Sequence, residues 1–141
     1  MNKPLLMIAA GYLAAIGLAL LITPARFGVG AVPDDASPEL IALLRLLGGP
    51  MLGIAVLNWM SRKAKPSAVR NTVILANLVG FGFVAGNDVV GVASGNAREL
   101  AKVFLFVHLA FAIAFIVTWA RARDRAPRDA RSGSGVAERE S

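Results

Sequence analysis

Four long apolar stretches, separated by short polar segments, constrain the fold of this chain more than any other feature. They cover residues 4–22, 40–60, 69–92 and 100–120. A hydrocarbon core of about 30 Å is crossed by about 20 helical residues, so each stretch is long enough to span a bilayer. Because a bilayer offers no water to unpaired backbone groups, each must be a helix or a strand of a closed barrel. Barrel strands alternate apolar and polar residues. These stretches do not, so we predict an all-α, polytopic membrane protein whose residues 1–120 form a four-helix transmembrane bundle.

The composition agrees with a membrane protein and excludes several other classes. Hydrophobic residues make up 56% of the 141 residues and charged residues 17%, too few for the water-facing surface of a soluble domain. The chain has no cysteine, which excludes disulfides, cysteine-ligated metals and thiol nucleophiles. The basic residues behind the net charge of +6 flank apolar segments, where lipid headgroups attract them. We therefore expect the lipid bilayer as a partner, and no nucleic acid.

The first span admits a second interpretation, a secretory signal peptide. Lys3, the apolar stretch after it and the small residues Val29-Gly30-Ala31 resemble such a peptide and its cleavage site. The apolar core of a signal peptide is usually about 7 to 15 residues long, and this stretch is longer. An uncleaved first span is therefore favoured.

The distribution of basic residues predicts an orientation. Eleven lysine and arginine residues lie in the N-terminus, the connection between the second and third spans and the segment after the fourth span, against Arg26 and Arg98 in the opposite connections. Since basic flanks are retained in the cytoplasm, we predict a multi-pass protein of the cell inner membrane with both termini cytoplasmic. Trp59 and Trp119 then share the cytoplasmic interface, where indole rings are enriched.

Residues 121–141 form a basic tail with almost nothing apolar to bury. Such a composition predicts a disordered cytoplasmic segment. Its arginines either retain this end in the cytoplasm or also contact anionic lipids.

Small residues recur at four-residue spacing within the spans, notably Gly49 with Gly53 and Gly82 with Gly86. In lipid, small residues allow close approach of helix backbones, which is a chief source of attraction between helices. We expect these glycines to pack the helices of the bundle or to form a face for self-association. Pro50, after two glycines, predicts a kink in the second helix.

Four polar side chains inside the spans form a candidate site: Arg45, Asn87, Asp88 and His108. Charged groups inside a bilayer usually pair or line a wet cavity, because burying them in hydrocarbon is expensive. At 1.5 Å per residue, Arg45, Asp88 and His108 lie about 10, 6 and 12 Å from the external ends of their helices. We therefore predict that Arg45 pairs with Asp88, with Glu99 as the alternative partner, since a guanidinium matches a carboxylate.

This intramembrane polar cluster has two interpretations. One is a structural pair that fixes the register of the bundle. The other is a polar pocket open to the outside, in which His108 changes charge near neutral pH and the ion pair orients a solute. A haem or metal on His108 would need further ligands, because the chain has one histidine and no cysteine. No catalytic constellation is visible, so we expect neither an enzyme nor a cofactor or metal site.

Three short motifs carry a resemblance to a known group of proteins. They are Leu46-Leu47-Gly48-Gly49-Pro50, Leu57-Asn58-Trp59 and Asn77-Leu78-Val79-Gly80. With these motifs, residues 45–119 resemble small four-helix inner-membrane proteins of bacteria that are broadly DoxX-like. The resemblance implies a four-helix membrane bundle and, for some relatives, an association with respiratory or thiol metabolism. The lack of cysteine argues against a thiol redox role here.

These observations predict a function only in outline. We expect an accessory or scaffolding protein that acts through helix packing, with another membrane protein or a second copy as its partner. The alternative is a small-solute or proton-coupled transporter or channel-like protein that uses the polar pocket.

Overall fold

The computed structural model describes residues 3–27, 32–95 and 97–137, with side chains up to residue 123. The motif at 29–31 that resembles a cleavage site, and residues 138–141 of the tail, lie outside this part of the chain. The described residues form helices and no strand: α1 (Lys3–Ile22), the single-turn α2 (Pro24–Phe27), α3 (Pro38–Ser61), α4 (Ala68–Ala93) and α5 (Glu99–Ala137).

Four of these helices are long and apolar enough to cross a membrane. They are α1, α3, α4 and the part of α5 from Glu99 to Arg123. The prediction of an all-α fold with four spans is confirmed, and the chain is a multi-pass membrane protein by length and composition of its helices.

The helices begin where the sequence supplies capping groups. The Ser37 hydroxyl accepts a hydrogen bond from the Leu40 amide at 3.3 Å, and Pro38 occupies the first turn of α3. The Ser67 hydroxyl accepts from the Arg70 amide at 3.3 Å at the start of α4. Each serine satisfies an amide that has no partner within its own helix.

The last helix runs past the predicted boundary at residue 120. α5 continues to Ala137 and so enters the segment for which the composition predicts disorder. The disorder of residues 121–141 stays a prediction.

The bundle consists of two antiparallel helix pairs, α1 with α3 and α4 with α5. The first pair comes into close contact at two glycines that face each other. A Cβ atom built on Gly48 would lie 2.6 Å from the carbonyl oxygen of Gly17 and 2.7 Å from Cγ of Leu21. A Cβ atom on Gly17 would lie 2.9 Å from the carbonyl oxygen of Gly48. Only glycine fits at this crossing, because a methyl group would overlap the facing backbone.

The glycines that the spacing predicted for helix packing do not pack the helices of this chain. A Cβ atom on Gly49, Gly53, Gly82 or Gly86 would meet nothing within 4 Å. The four-residue spacing identifies a stripe on a helix but not the direction in which the stripe points. In α3 the buried stripe passes through Gly48, one residue away from the predicted pair.

A core of aromatic and aliphatic side chains joins α1 to the α4–α5 pair. Its buried members are Leu6, Ala9, Val73, Ile74, Phe81, Phe111, Ala112 and Phe115. Phe81 stacks on Phe111 with a centroid distance of 4.4 Å. The ring of Tyr12 in α1 lies 5.3 Å from the ring of Phe111, centroid to centroid.

A pair of buried amides joins α3 to α4. Nδ2 of Asn58 donates to Oδ1 of Asn77 at 2.8 Å, and Nδ2 of Asn77 donates back to Oδ1 of Asn58 at 2.7 Å. Nδ2 of Asn77 also donates to the carbonyl oxygen of Val73 at 2.8 Å. Two polar side chains can therefore be buried between the two helix pairs, because each satisfies the other.

Candidate functional site

A chain of three hydrogen-bonded side chains crosses the bundle from α4 through α5 to α1. Nδ1 of His108 lies 2.6 Å from Oδ2 of Asp88, and Nε2 of the same ring lies 2.6 Å from the hydroxyl of Tyr12. The side chains of His108 and Asp88 are only 12% and 16% exposed, so most of this chain is buried. The imidazole is thus held from both sides.

The protonation state of the three groups sets the direction of these hydrogen bonds. With Asp88 in its carboxylate form, which can only accept, Nδ1 of His108 donates to it. When the imidazole is neutral, Nε2 accepts and the Tyr12 hydroxyl donates to it. When the imidazole is protonated, Nε2 donates and the hydroxyl oxygen of Tyr12 accepts, so the chain holds together in either state.

Aromatic rings surround the imidazole. Phe104 stacks against His108 at a centroid distance of 6.0 Å, Phe81 lies at 6.2 Å, and Tyr12 meets the imidazole edge-on at 5.7 Å. These rings come from α1, α4 and α5, so the polar chain is embedded where the two helix pairs meet. Rigid packing of this kind holds the imidazole in one orientation.

The polar chain forms part of the wall of a partly open cavity of about 380 Å³ between the helix pairs. Most of the wall is apolar, and Tyr12, Asp88 and His108 supply polar groups on it. The volume falls within the range of about 300 to 1,000 Å³ that is typical of small-molecule sites. A large apolar surface with a few convergent polar groups is also the usual composition of such sites.

Arg98, in the turn just before α5, also lines this cavity. Its Nη1 donates to the carbonyl oxygen of Phe27 at 3.0 Å, and its guanidinium carbon lies 5.7 Å from the ring centroid of Phe104. The contact ties the end of α2 to the start of α5. The ring of Phe104 lies between Arg98 and His108, because it also stacks against the imidazole at a centroid distance of 6.0 Å.

The structure brings together two of the four predicted polar residues, Asp88 and His108, and leaves Arg45 out. Arg45 is exposed on α3 and forms no ion pair with any described residue. The predicted Arg45–Asp88 pair is therefore replaced by the pair of Asp88 with His108. The reason is the rotation of α3, which places Gly48 against α1 and Arg45 on the outer face. Arginine can stay there because its long side chain reaches toward the membrane surface.

Asn87, the fourth predicted residue, and Glu99, the alternative partner of Arg45, also lie outside the polar chain. Asn87 is exposed beside Asp88. Glu99, the alternative partner for Arg45, instead accepts from Nζ of Lys102 at 3.0 Å, and its side chain is 89% exposed.

Sequence reasoning missed Tyr12 and Asn58 as site residues. Tyr12 is the single tyrosine of the chain, in the middle of the first apolar stretch. A phenol in the middle of a span needs a hydrogen-bond partner, and this requirement could have linked it to His108. Asn58 appeared only within a motif of the resemblance, although a buried amide at that depth also needs a partner.

The arrangement can hold a proton and hydrogen-bond a small molecule. No group of three or more histidine, cysteine, aspartate or glutamate side chains that could hold a metal ion occurs in the described part of the chain. The histidine is engaged at both ring nitrogens, and its neighbours are a carboxylate and a phenol.

Comparison with known proteins places this site within a family. No curated protein and no solved structure matches the chain. One family model matches residues 7–126, a range that contains the polar chain, the cavity wall and the paired amides. The match covers most of the sequence, and the chain therefore belongs to the family described as a domain of unknown function, DUF8292.

Proposed function

We propose that this protein is a small-solute transport protein of the membrane, and that its solute binds in the cavity between the two helix pairs. One observation carries the proposal: the partly open cavity of about 380 Å³ has the Asp88–His108–Tyr12 chain on its wall. A bundle that served only to pack helices would gain stability from filling this space, since unfilled space costs packing energy.

The position of the polar groups supports the same proposal. A carboxylate and an imidazole in a membrane span are expensive and usually face a cavity or a partner. Here Asp88 and His108 do both, because they contact each other and line the cavity. The Asn58–Asn77 pair is less exposed, at 0% and 3%, although Asn77 also lies on the cavity wall.

The proposal includes a location and an orientation. We propose the inner membrane of a bacterium with both termini cytoplasmic, in line with the distribution of lysine and arginine. The guanidinium of Arg62 lies 3.7 Å from the ring centroid of Trp59, and that of Arg123 lies 4.7 Å from Trp119. Arginine and tryptophan side by side are typical of a membrane interface. The likeness to DoxX-like proteins agrees with this location and stays a resemblance.

Single-cysteine labelling tests the proposal, because the chain has no cysteine of its own. Val84 lines the cavity, whereas Val79 lies on the same helix, is 64% exposed and does not line it. A membrane-impermeant thiol reagent should label Val84→Cys in sealed vesicles and leave Val79→Cys unlabelled, since a thiol in lipid does not ionise. Equal, slow labelling of both variants would show a dry cavity and refute the proposal.

Reporter fusions test the orientation. A periplasmic-type reporter fused to the C-terminus should be inactive, and a cytoplasmic-type reporter should be active. The opposite result would invert the side from which the cavity is loaded.

The outward-facing glycines favour a second function, the accessory or scaffolding role. Gly49 and Gly53 are exposed on α3 with open space where a Cβ atom would be. A neighbouring helix could approach closely at this stripe. Copurification of a stoichiometric membrane protein in mild detergent, lost in Gly53→Ile and kept in Gly11→Ile, would support this role. Gly11 is a matched control, because it is exposed on α1 and also has nothing within 4 Å. Absence of any partner from wild-type preparations would count against it.

A further inference from the structure

We propose that the solute is a hydrophobic organic cation, which exchanges with a proton held by the Asp88–His108 pair. This inference rests on the proposed function and names the solute class for the same cavity. It follows from three properties of the cavity wall: the carboxylate oxygen that accepts no hydrogen bond from any described residue, the charge of the polar chain and the aromatic lining.

The first property is the hydrogen-bonding capacity that the polar chain leaves unused. Oδ2 of Asp88 is bonded to His108, while Oδ1 has no hydrogen-bond partner among the described residues. The Tyr12 hydroxyl donates to a neutral imidazole and then keeps its lone pairs as acceptors. Toward the cavity, the chain with a neutral imidazole therefore offers acceptors. An acceptor site in an apolar cavity favours a solute that brings a positive charge or a donor.

The second property is the charge of the Asp88–His108 pair in its two protonation states. With protonated His108 the pair is neutral, and Nε2–H donates to the hydroxyl oxygen of Tyr12. Loss of that proton from Nε2 to water leaves His108 neutral, and the pair carries one negative charge. Binding of a monovalent cation restores neutrality. Since an uncompensated charge is costly in a low-dielectric cavity, cation and proton compete for the pair.

The third property is the aromatic lining. Tyr12, Phe27, Phe81 and Phe104 all line the cavity. The guanidinium of Arg98 already lies 5.9 and 5.7 Å from the ring centroids of Phe27 and Phe104, so Tyr12 and Phe81 are the rings that a solute cation would meet. The faces of aromatic rings attract cations, and they do so more strongly when the cation is shielded from water. A carboxylate among aromatic rings suits a hydrophobic cation better than an inorganic ion, which would lose its hydration shell.

Arg98 is the other charged group of the wall, and it stays protonated at any pH used here. Its guanidinium donates to the carbonyl oxygen of Phe27 and lies 5.7 Å from the ring centroid of Phe104, the ring that also stacks against His108. The groups on the cavity wall that carry charge or titrate are Tyr12 on α1, Asp88 on α4, and Arg98 and His108 before and on α5. The lining residues of α3 are Met51 and Ile54, so this helix adds no charge. The competition therefore centres on Asp88 and His108.

A pair of probes with the same shape and opposite charge tests the inference. Tetraphenylphosphonium and tetraphenylborate are added separately to the purified full chain in a neutral detergent, and binding is measured by equilibrium dialysis. We expect the phosphonium ion to bind at least tenfold more tightly than the borate ion. Its affinity should rise with pH, and at most one proton should be released per cation bound.

Variants assign the binding to this cavity. Asp88→Asn should weaken phosphonium binding by about 10- to 100-fold, the size expected for one ion pair at the edge of a protein interior. Glu99→Gln is the matched control, because Glu99 is a carboxylate that is 89% exposed and not on the wall. Gly80→Leu should block the cavity, and Gly82→Leu should not, because both glycines have open space but only Gly80 lines it.

The outcomes separate this inference from the proposed function. Tighter binding of the borate ion, or phosphonium affinity that does not change with pH, would overturn the cation proposal. So would the absence of binding of either ion while Val84→Cys is still labelled, and the cavity would then remain a solute site of another class. The pH dependence of the wild-type chain needs no variant, so the test stands even if Asp88→Asn does not fold.

Discussion

Replacing Gly48 by alanine should weaken the bundle, whereas the same replacement one residue later should not. The new methyl group of Gly48→Ala would lie 2.6 Å from the carbonyl oxygen of Gly17 and 2.7 Å from Cγ of Leu21. The methyl group of Gly49→Ala would meet nothing within 4 Å. The two variants add the same atoms to the same helix and differ only in the face on which they are added.

The expected magnitude follows from the overlap. Optimal contacts between carbon atoms lie at about 3.5 to 4.0 Å, so α1 and α3 must separate by about 1 Å at the crossing. Overpacking of this kind costs about 1–3 kcal/mol, and a gap of that width also weakens the contacts beside it. Alanine returns up to about 1 kcal/mol through its higher helix propensity. We expect Gly48→Ala to lower the free energy of unfolding by about 1–2 kcal/mol and Gly49→Ala to leave it unchanged or raise it slightly.

Equilibrium unfolding in mixed micelles, followed by far-UV circular dichroism, measures these differences. The fluorescence of Trp59 and Trp119 provides a second signal from α3 and α5. Gly17→Ala, whose methyl group would lie 2.9 Å from the carbonyl oxygen of Gly48, should behave like Gly48→Ala. If Gly48→Ala and Gly49→Ala were equally stable, the close crossing of α1 and α3 would not exist.

Three further outcomes follow from the same contacts. Asn58→Leu and Asn77→Leu should each destabilise the chain, with a coupling energy of about 0.6 to 1.7 kcal/mol in the double-mutant cycle, and additive effects would contradict the reciprocal pair. Arg45→Leu should keep wild-type abundance and thermal stability, because the exposed side chain has no ion-pair partner among the described residues. Strong destabilisation would instead support the ion pair of Arg45 with Asp88 that the sequence predicted. Tyr12→Phe should cost about 1 kcal/mol and shift the imidazole proton resonances of His108, and unchanged resonances would argue against their contact.

Much of the architecture could be predicted from the sequence because hydrophobicity and length act locally. Each apolar stretch needs only its own residues to predict a span, and Ser37-Pro38 and Ser67 mark helix starts by capping chemistry within one turn. Asp88 and His108 could likewise be chosen as candidate site residues from one local property, the free-energy cost of placing a charged or polar side chain in the bilayer. These are properties of single segments, independent of the neighbours that a helix acquires.

The pairing of side chains depended on how each helix is rotated about its axis, which no single segment determines. A change of one residue in the buried stripe of α3 places Gly48 rather than Gly49 at the crossing and turns Arg45 outward. The apolar stretches are hydrophobic on all sides, so their sequence carries little information about which side faces a neighbour. That choice comes from the fit of particular shapes, such as two glycine backbones in contact and a phenol within reach of an imidazole. The sequence by itself therefore determined four membrane-spanning helices and their costly polar residues. Only the tertiary structure decided that Tyr12, His108 and Asp88 meet on the wall of one cavity.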